Sequence, residues 1–406
     1  MDLIEIFETL VKIPSPSLHE ENVANKAIEI LNNAGIEAKK DNYGNVKAYV
    51  RGTDDNKKPF MLSSHMDVVG DDSPINMVYN GDFIETDKKR TLGADDKAGV
   101  AAAIKLALDI EGEMKNTPHG GLEITFTRDE ESGMSGIGHV EFDKIDSEDV
   151  LVLDSDKLGN FEISGAGYLK LCISVETPYG GHSGLDIANN ERLNAAKLVA
   201  DIVSEIPQGV YKQDELGVIT SINLGSIVGG AVDNSVYAAV ENKIERANAA
   251  KYICHNSMSN LINTKGYAHY SLRSSSKEYE TELVNKIQGI VDKYNERYGN
   301  LAKFELKVEE HLPIFEKSDN EHTLEVARRA AKNANVDISI QSFHAGAETH
   351  IYANRLNKNG KKFKPVLVGI ADVYNMHSQF EKIDVNSYKK GYQFLKEFFK
   401  EYNKWI

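Results

Sequence analysis

Gly121–Gly133, GLEITFTRDEESG, carries an apolar, β-branched run straight into two adjacent carboxylates, Glu130 and Glu131. Such a run reads as a buried strand followed by a loop. Because a strand alternates its side chains, one acid is expected to turn toward a bound metal while the loop aims the other at the space above it. Metal-assisted hydrolysis needs that division, with one carboxylate fixing the ion and the other taking a proton from ion-bound water. A bare EE pair is more often a solvated acidic turn, so the rest of the sequence must decide.

Other apolar runs of the chain end in the same way. Phe60–Ser64 leads into SSHMD (63–67), where His65 and Asp67, two apart, lie on the same side of an extended segment and can face one pocket. A carboxylate near a histidine commonly fixes its tautomer and orientation for metal binding. Val150–Leu153 ends at Asp154. TLGADDKAG (91–99) places Asp95 and Asp96 before a helix through Val100, Ala103, Ile104 and Leu106. One acid suffices to cap that helix and favour its dipole, and two after a Gly-Ala turn exceed the need. His377, in Tyr374–Ser378 (YNMHS), is the fifth ligand candidate. Each has a plain alternative as a helix cap, a polar loop or a surface histidine. In an α/β sheet, however, ligands gather outside the carboxyl ends of parallel strands, so these side chains are expected to converge there.

At 406 residues and 45.0 kDa the chain is long enough for two or more domains. Hydrophobic residues make up 41% and charged residues 27%, the balance of a soluble globular protein. Cys172 and Cys254 have no CxxC spacing, which argues against a disulfide framework or a thiolate metal site. A formal charge of −15 argues against nucleic acid as a partner. With no signal-peptide pattern and no long apolar run, no membrane is expected and the location expected is cytoplasmic. Phosphate-binding GxGxxG and GxxxxGK[ST] loops and the GxSxG elbow are absent from the sequence.

Ser17–Glu20 reads as a capping box opening a helix with Val23, Ala27, Ile28 and Leu31 on one face, ending near Gly35. From Tyr168 the texture changes. An alternating strand (169–176), a glycine turn (179–184), a helix over 190–206, strands at 218–227 and 236–244, a helix at about 278–298 and a strand at 304–308 suggest an inserted α+β domain. From about Leu312 the pattern returns to α/β, with a helix near 321–331, a strand at 366–369 and a final amphipathic helix from Val385.

Taken in order, SSHMD, TLGADDKAG, FTRDEESG, VLVLDSD and YNMHS resemble the dinuclear zinc aminopeptidases and amidohydrolases of the peptidase T and carboxypeptidase G clan. The resemblance spans positions 63 to 378 and implies an α/β catalytic domain with a central mixed, mostly parallel sheet. That domain would comprise 1–168 and 312–406, with an inserted lid or dimerisation domain at 169–311. Carried over motif by motif, it implies that His65 and Asp154 bind one metal, His377 and Glu131 the other, and Asp95 bridges both. Asp67 would orient His65 and Glu130 would be the general base. Two histidines and three carboxylates suit zinc and tolerate manganese or cobalt. A hydroxide shared by two cations about 3.5–4 Å apart would attack the scissile carbonyl.

TLGADDKAG, together with the chain length, resembles the tripeptide aminopeptidases of the peptidase T type, which the catalytic domain is expected to follow. GGHSGLDI (180–187), GGAVDNSV (229–236) and FHAGAETH (343–350) look more like the aminoacyl-histidine dipeptidases of the peptidase D type. By that resemblance His182 would donate to the tetrahedral oxyanion and the protein would be a homodimer joined through the lid. Asn234 and Arg273 would bind the substrate carboxylate, and His344 and Glu348 would line the pocket and meet its amine. The implied activity is removal of the N-terminal residue from di- or tripeptides. The alternatives are an N-acyl amino acid amidohydrolase or carboxypeptidase on the same metals, and a non-catalytic metal- or peptide-binding protein.

Overall fold

The computed structural model describes residues 1–230, 258–317 and 320–404. The chain divides into two compact units, one made of Met1–Gly165 with Phe315–Ile406 and the other of Ala166–Ile314.

The first unit is built on an eight-stranded mixed sheet. Gly121–Thr127, Phe60–His65, Asp149–Val152 and Lys364–Val368 lie side by side and parallel. Glu37–Lys40 and Val46–Arg51 extend one edge antiparallel. Asn160–Gly165 and Ser339–Phe343 complete the other. Parallel strands are covered on both faces, which is why Phe60–His65 is buried at every position. Phe60 and Leu62 face a core built with the helices, whereas Met61 faces a second cluster with Val150, Val152, Tyr352 and Phe363.

The helix Ala94–Glu111 is alanine-rich and buried almost all round, as a helix lying between a sheet and other helices must be. Phe7 of Leu3–Val11 meets Tyr388 of Val385–Tyr402 edge-on at 5.6 Å, and the Tyr388 hydroxyl donates to the Ala98 carbonyl at 2.7 Å. Met77–Asn80, Phe83–Thr86, Lys382–Asp384 and Val373–Tyr374 form a small four-stranded sheet that the sequence pattern did not reveal.

The expected capping box at Ser17 is absent. The helix begins at Glu21, and the Ser17 hydroxyl donates instead to Asp67 at 2.7 Å. The helix expected over 190–206 is confined to Ala195–Val203, capped by the Asn194 side chain, because the glycine-turn segment before it continues in irregular backbone.

The second unit is a five-stranded antiparallel sheet with one face covered by Ala195–Val203 and Lys277–Tyr298. Its alternating strand Gly167–Glu176 buries Leu169, Leu171, Ile173 and Val175 beneath those helices. The strand expected at 236–244 lies outside the described residues.

Candidate metal centre

Three of the parallel strands deliver side chains at their carboxyl ends. His65 ends its strand, Asp154 follows Val152 by two residues, and Glu130 and Glu131 follow Thr127. The two glutamates are not parted by strand alternation as expected. The strand stops at Thr127, Asp129 takes a left-handed conformation with φ 56°, and Glu130–Gly133 forms a short helical turn. Successive residues of such a turn diverge by about 100°, so helical geometry separates the two carboxylates.

Asp95 stands at the centre of the group. Its Oδ1 lies 3.1 Å from His65 Nε2 and its Oδ2 lies 3.0 Å from His377 Nε2. Asp154 Oδ1 is 3.5 Å from the same His65 nitrogen, and Glu131 Oε2 is 3.0 Å from the same His377 nitrogen. One carboxylate therefore faces two imidazoles with separate oxygens, and each imidazole has a further carboxylate of its own. Ligand atoms of His65, Asp95 and Glu131 all lie within 4.8 Å of one another. The sequence-expected set His65, Asp95, Glu131, Asp154 and His377 is thus brought together. His65 is 2% exposed and the His377 side chain 53%.

Asp95 reaches this position through the turn before it. Gly93 adopts φ 79°, and a Cβ there would meet Val68 Cγ2 at 2.8 Å, so the position calls for glycine. Although Ala94–Glu111 reads as one helix, Asp95 and Asp96 have non-helical dihedrals and their peptide bond is cis. Regular helical geometry holds from Lys97 onward, and Asp96 Oδ1 accepts the Gly99 amide at 3.0 Å as a helix cap would.

Asp67 is fully buried, and its carboxylate accepts from Glu130 N at 3.0 Å, Glu131 N at 3.1 Å and the Ser17 hydroxyl at 2.7 Å. Toward His65 Nδ1 its backbone carbonyl is nearer, at 3.0 Å, than its carboxylate, at 3.4 Å. In the neutral imidazole, an Nδ1–H donated there would leave the Nε2 lone pair available to a cation.

The electrostatics are those of a carboxylate-rich space short of positive charge. Burial alone would push the His65 imidazolium down, but Asp154, Asp67 and Asp95 outweigh it and hold the group well above the ordinary histidine range. Hydrogen bonds to Asp95 and then Glu131 raise His377 to about 10. Burial raises Asp154, and Asp95 adds to it. Burial also raises Glu130 well above the usual range, with Asp154, Glu348 and Glu131 contributing repulsion. Glu131 Oε1 is buried without a hydrogen-bond partner. An orphaned carboxylate oxygen beside crowded acids and two imidazoles is a donor set suited to divalent cations.

Glu348 is 1% exposed and takes a 3.3 Å hydrogen bond from the Ser63 hydroxyl of the Phe60–His65 strand. His344 follows the edge strand Ser339–Phe343 and is half-buried. In the second unit, His182 is exposed, and its Nδ1 accepts from Gly184 N at 3.1 Å and Leu185 N at 3.3 Å. These two bonds fix the ring and, in the neutral imidazole, leave Nε2–H as an outward donor. Arg273 lies within Lys265–Ser274 opposite Tyr168, its guanidinium 4.8 Å from that ring. Asn234 lies outside the described residues.

Sequence reasoning missed Glu381. It is 1% exposed and hydrogen-bonded to the Thr91–Asp95 turn. The available signal was only an acid four residues after the last ligand histidine.

The profile of peptidase family M20/M25/M40 matches residues 61–401. Peptidase T from Escherichia coli is 24% identical over 315 residues, covering 77% of this chain and 66% of that protein. Among solved structures, aminopeptidase PepT from Bacillus cereus superimposes with a TM-score of 0.82 at 22% identity over 98% of each chain. Aminoacylhistidine dipeptidase from Vibrio alginolyticus does so with a TM-score of 0.70 at 17% identity, again over 98% of each chain.

Proposed function

Because this chain belongs to peptidase family M20/M25/M40, and is on that ground a metallopeptidase, we propose that it is a two-metal exopeptidase that removes the N-terminal residue from di- or tripeptides. One observation carries the reading: the two oxygens of Asp95 face different histidines, His65 and His377, at 3.1 and 3.0 Å. A carboxylate so placed is a ready bridging ligand. His65 and Asp154 would hold one cation, His377 and Glu131 the other, and Asp95 both. When bound, a pair of divalent cations supplies Lewis acidity and makes water a nucleophile at neutral pH. Zinc is the proposed metal, with manganese or cobalt compatible with the same donors.

The chain's own groups then carry the proton. Glu130, whose backbone is pinned by Asp67, takes a proton from the attacking water as oxygen bonds to the peptide carbon. It returns that proton to the amine nitrogen as the C–N bond breaks. His182, with Nε2–H directed outward, is the proposed donor to the tetrahedral oxyanion. Arg273, together with Asn234, would bind the substrate carboxylate, Arg through its planar fork. His344 and Glu348 would line the pocket and meet the substrate's amine, with Glu348 accepting from the Ser63 hydroxyl. The second unit would serve as lid and as the dimer interface.

Metal analysis of the purified chain joined to a peptide panel tests the reading. Two ions per chain and cleavage of di- and tripeptides that stops when the α-amine is acetylated are expected. Preferential cleavage of acetyl-amino acids would replace the aminopeptidase with an amidohydrolase, and fewer than two ions would remove the bridging role of Asp95.

A further inference from the structure

We propose that Glu381 is a positioning residue for the metal centre: it locks the hairpin that carries His377 to the turn that presents Asp95, and so fixes the two cation sites relative to each other. The inference rests on the two-cation reading and adds to it a residue outside the proposed ligand set.

His377 and Glu381 lie on the segment between Val373–Tyr374 and Lys382–Asp384, which pair antiparallel. Within it, Glu381 N donates to the Ser378 carbonyl at 3.1 Å and closes the turn directly after His377. His377 itself has φ 60°, a left-handed conformation uncommon for a residue with a side chain. The histidine's placement therefore depends on how this short segment is anchored.

The anchor is the Glu381 carboxylate. Its Oε2 accepts the Thr91 hydroxyl and Gly93 N, the latter at 2.7 Å, and its Oε1 accepts Asp95 N at 3.1 Å. Three donors from five consecutive residues converge on one buried acid. The third comes from the backbone of the residue whose side chain stands between His65 and His377. Hydrogen bonds to a carboxylate are directional and stronger than neutral ones, so shifting this group moves two ligand-bearing loops together. Outer partners of this kind orient ligands, and their loss typically weakens metal binding by about 10–100-fold.

Glu381→Gln in the full-length chain tests this. Glutamine keeps one acceptor oxygen and sets an NH2 group against a backbone N–H, so at least one of the three bonds is lost. Cobalt(II) is titrated into the chelator-stripped protein and followed by visible absorption, with near-UV circular dichroism reporting the fold. Wild type is expected to take two ions, and E381Q to bind at least one of them about ten-fold or more weakly while remaining folded. Thr91→Val, which removes only the hydroxyl donor and keeps the carboxylate, is expected to weaken the same ion to a smaller degree. It decides the matter by itself if E381Q does not fold. Affinities within two-fold of wild type in the folded variants would overturn the proposal, because a residue that merely stabilised the turn would leave metal affinity in place. A wild-type chain that takes fewer than two ions would instead overturn the two-cation reading, so the two failures are distinct.

Discussion

Replacing Asp67 with asparagine separates two roles that this carboxylate combines. Its Oδ2 accepts from Ser17 and Glu131 N, and its Oδ1 from Glu130 N, with the side chain wholly buried. Asparagine has one carbonyl oxygen. Placed at the Oδ2 position it retains two bonds and turns an NH2 group toward the Glu130 amide. A hydrogen bond to a charged partner is worth about 1.5–3 kcal/mol, and leaving the donor buried and opposed adds to the cost, so about 2–3 kcal/mol is lost around Glu130. If that loss falls on the alignment of Glu130, kcat/KM should drop by roughly 30- to 150-fold at about 1.4 kcal/mol per decade. The backbone carbonyl that faces His65 Nδ1 at 3.0 Å is unchanged, so metal content should stay near that of wild type. The assay is steady-state hydrolysis of trialanine with metal analysis of the same preparation. A folded D67N chain with kcat/KM within three-fold of wild type would refute the claim that Asp67 holds Glu130 in place. Loss of metal with the activity would show that the side chain works through His65.

Glu130→Ala should abolish turnover and leave two ions per chain, and metal loss in parallel would exchange the roles of Glu130 and Glu131. His182→Ala should lower kcat by roughly 10²–10³-fold, the range for a lost oxyanion donor, and an unchanged kcat would return His182 to the surface. Burial raises Glu162, a residue outside the proposed ligand set, to about 6, against an ordinary value of 4.5. A carboxyl raised on folding contributes stability that is complete below about 4.5 and lost as the pH climbs through about 6, a difference worth about 2 kcal/mol. Glu162→Gln keeps the acceptor for Gln341 and removes the charge, so its melting temperature should exceed that of wild type at pH 8 and match it near pH 4. Equal melting temperatures at pH 8 would show that the carboxyl is not strained by burial.

The ligand types and their order were legible because each sits at a punctuation point of the pattern. Apolar runs end at Ser64, Thr127 and Leu153, and an acid or a histidine follows each within a few residues. The mixed α/β sheet follows from the same pattern, since parallel strands buried on both faces read as continuous apolar runs. Local geometry was less legible. The EE pair reads as the end of a strand, yet a left-handed Asp129 turns it into helix, and no periodicity marks a single positive φ. Ser17 has the spacing of a helix cap, but a buried carboxylate fifty residues away is the stronger acceptor for its hydroxyl.

The candidate ligands and the layers of structure that present them can be read along the chain, because side-chain chemistry and hydrophobic period are written one residue at a time. That Asp95 faces both histidines, that Asp67 holds the Glu130 turn, and that Glu381 joins the Asp95 and His377 loops emerges from the packed fold alone. Those are contacts between positions up to 286 residues apart. Hydrogen-bond partners at such separations depend on how packed strands bring their ends together, and no local pattern in the chain encodes them.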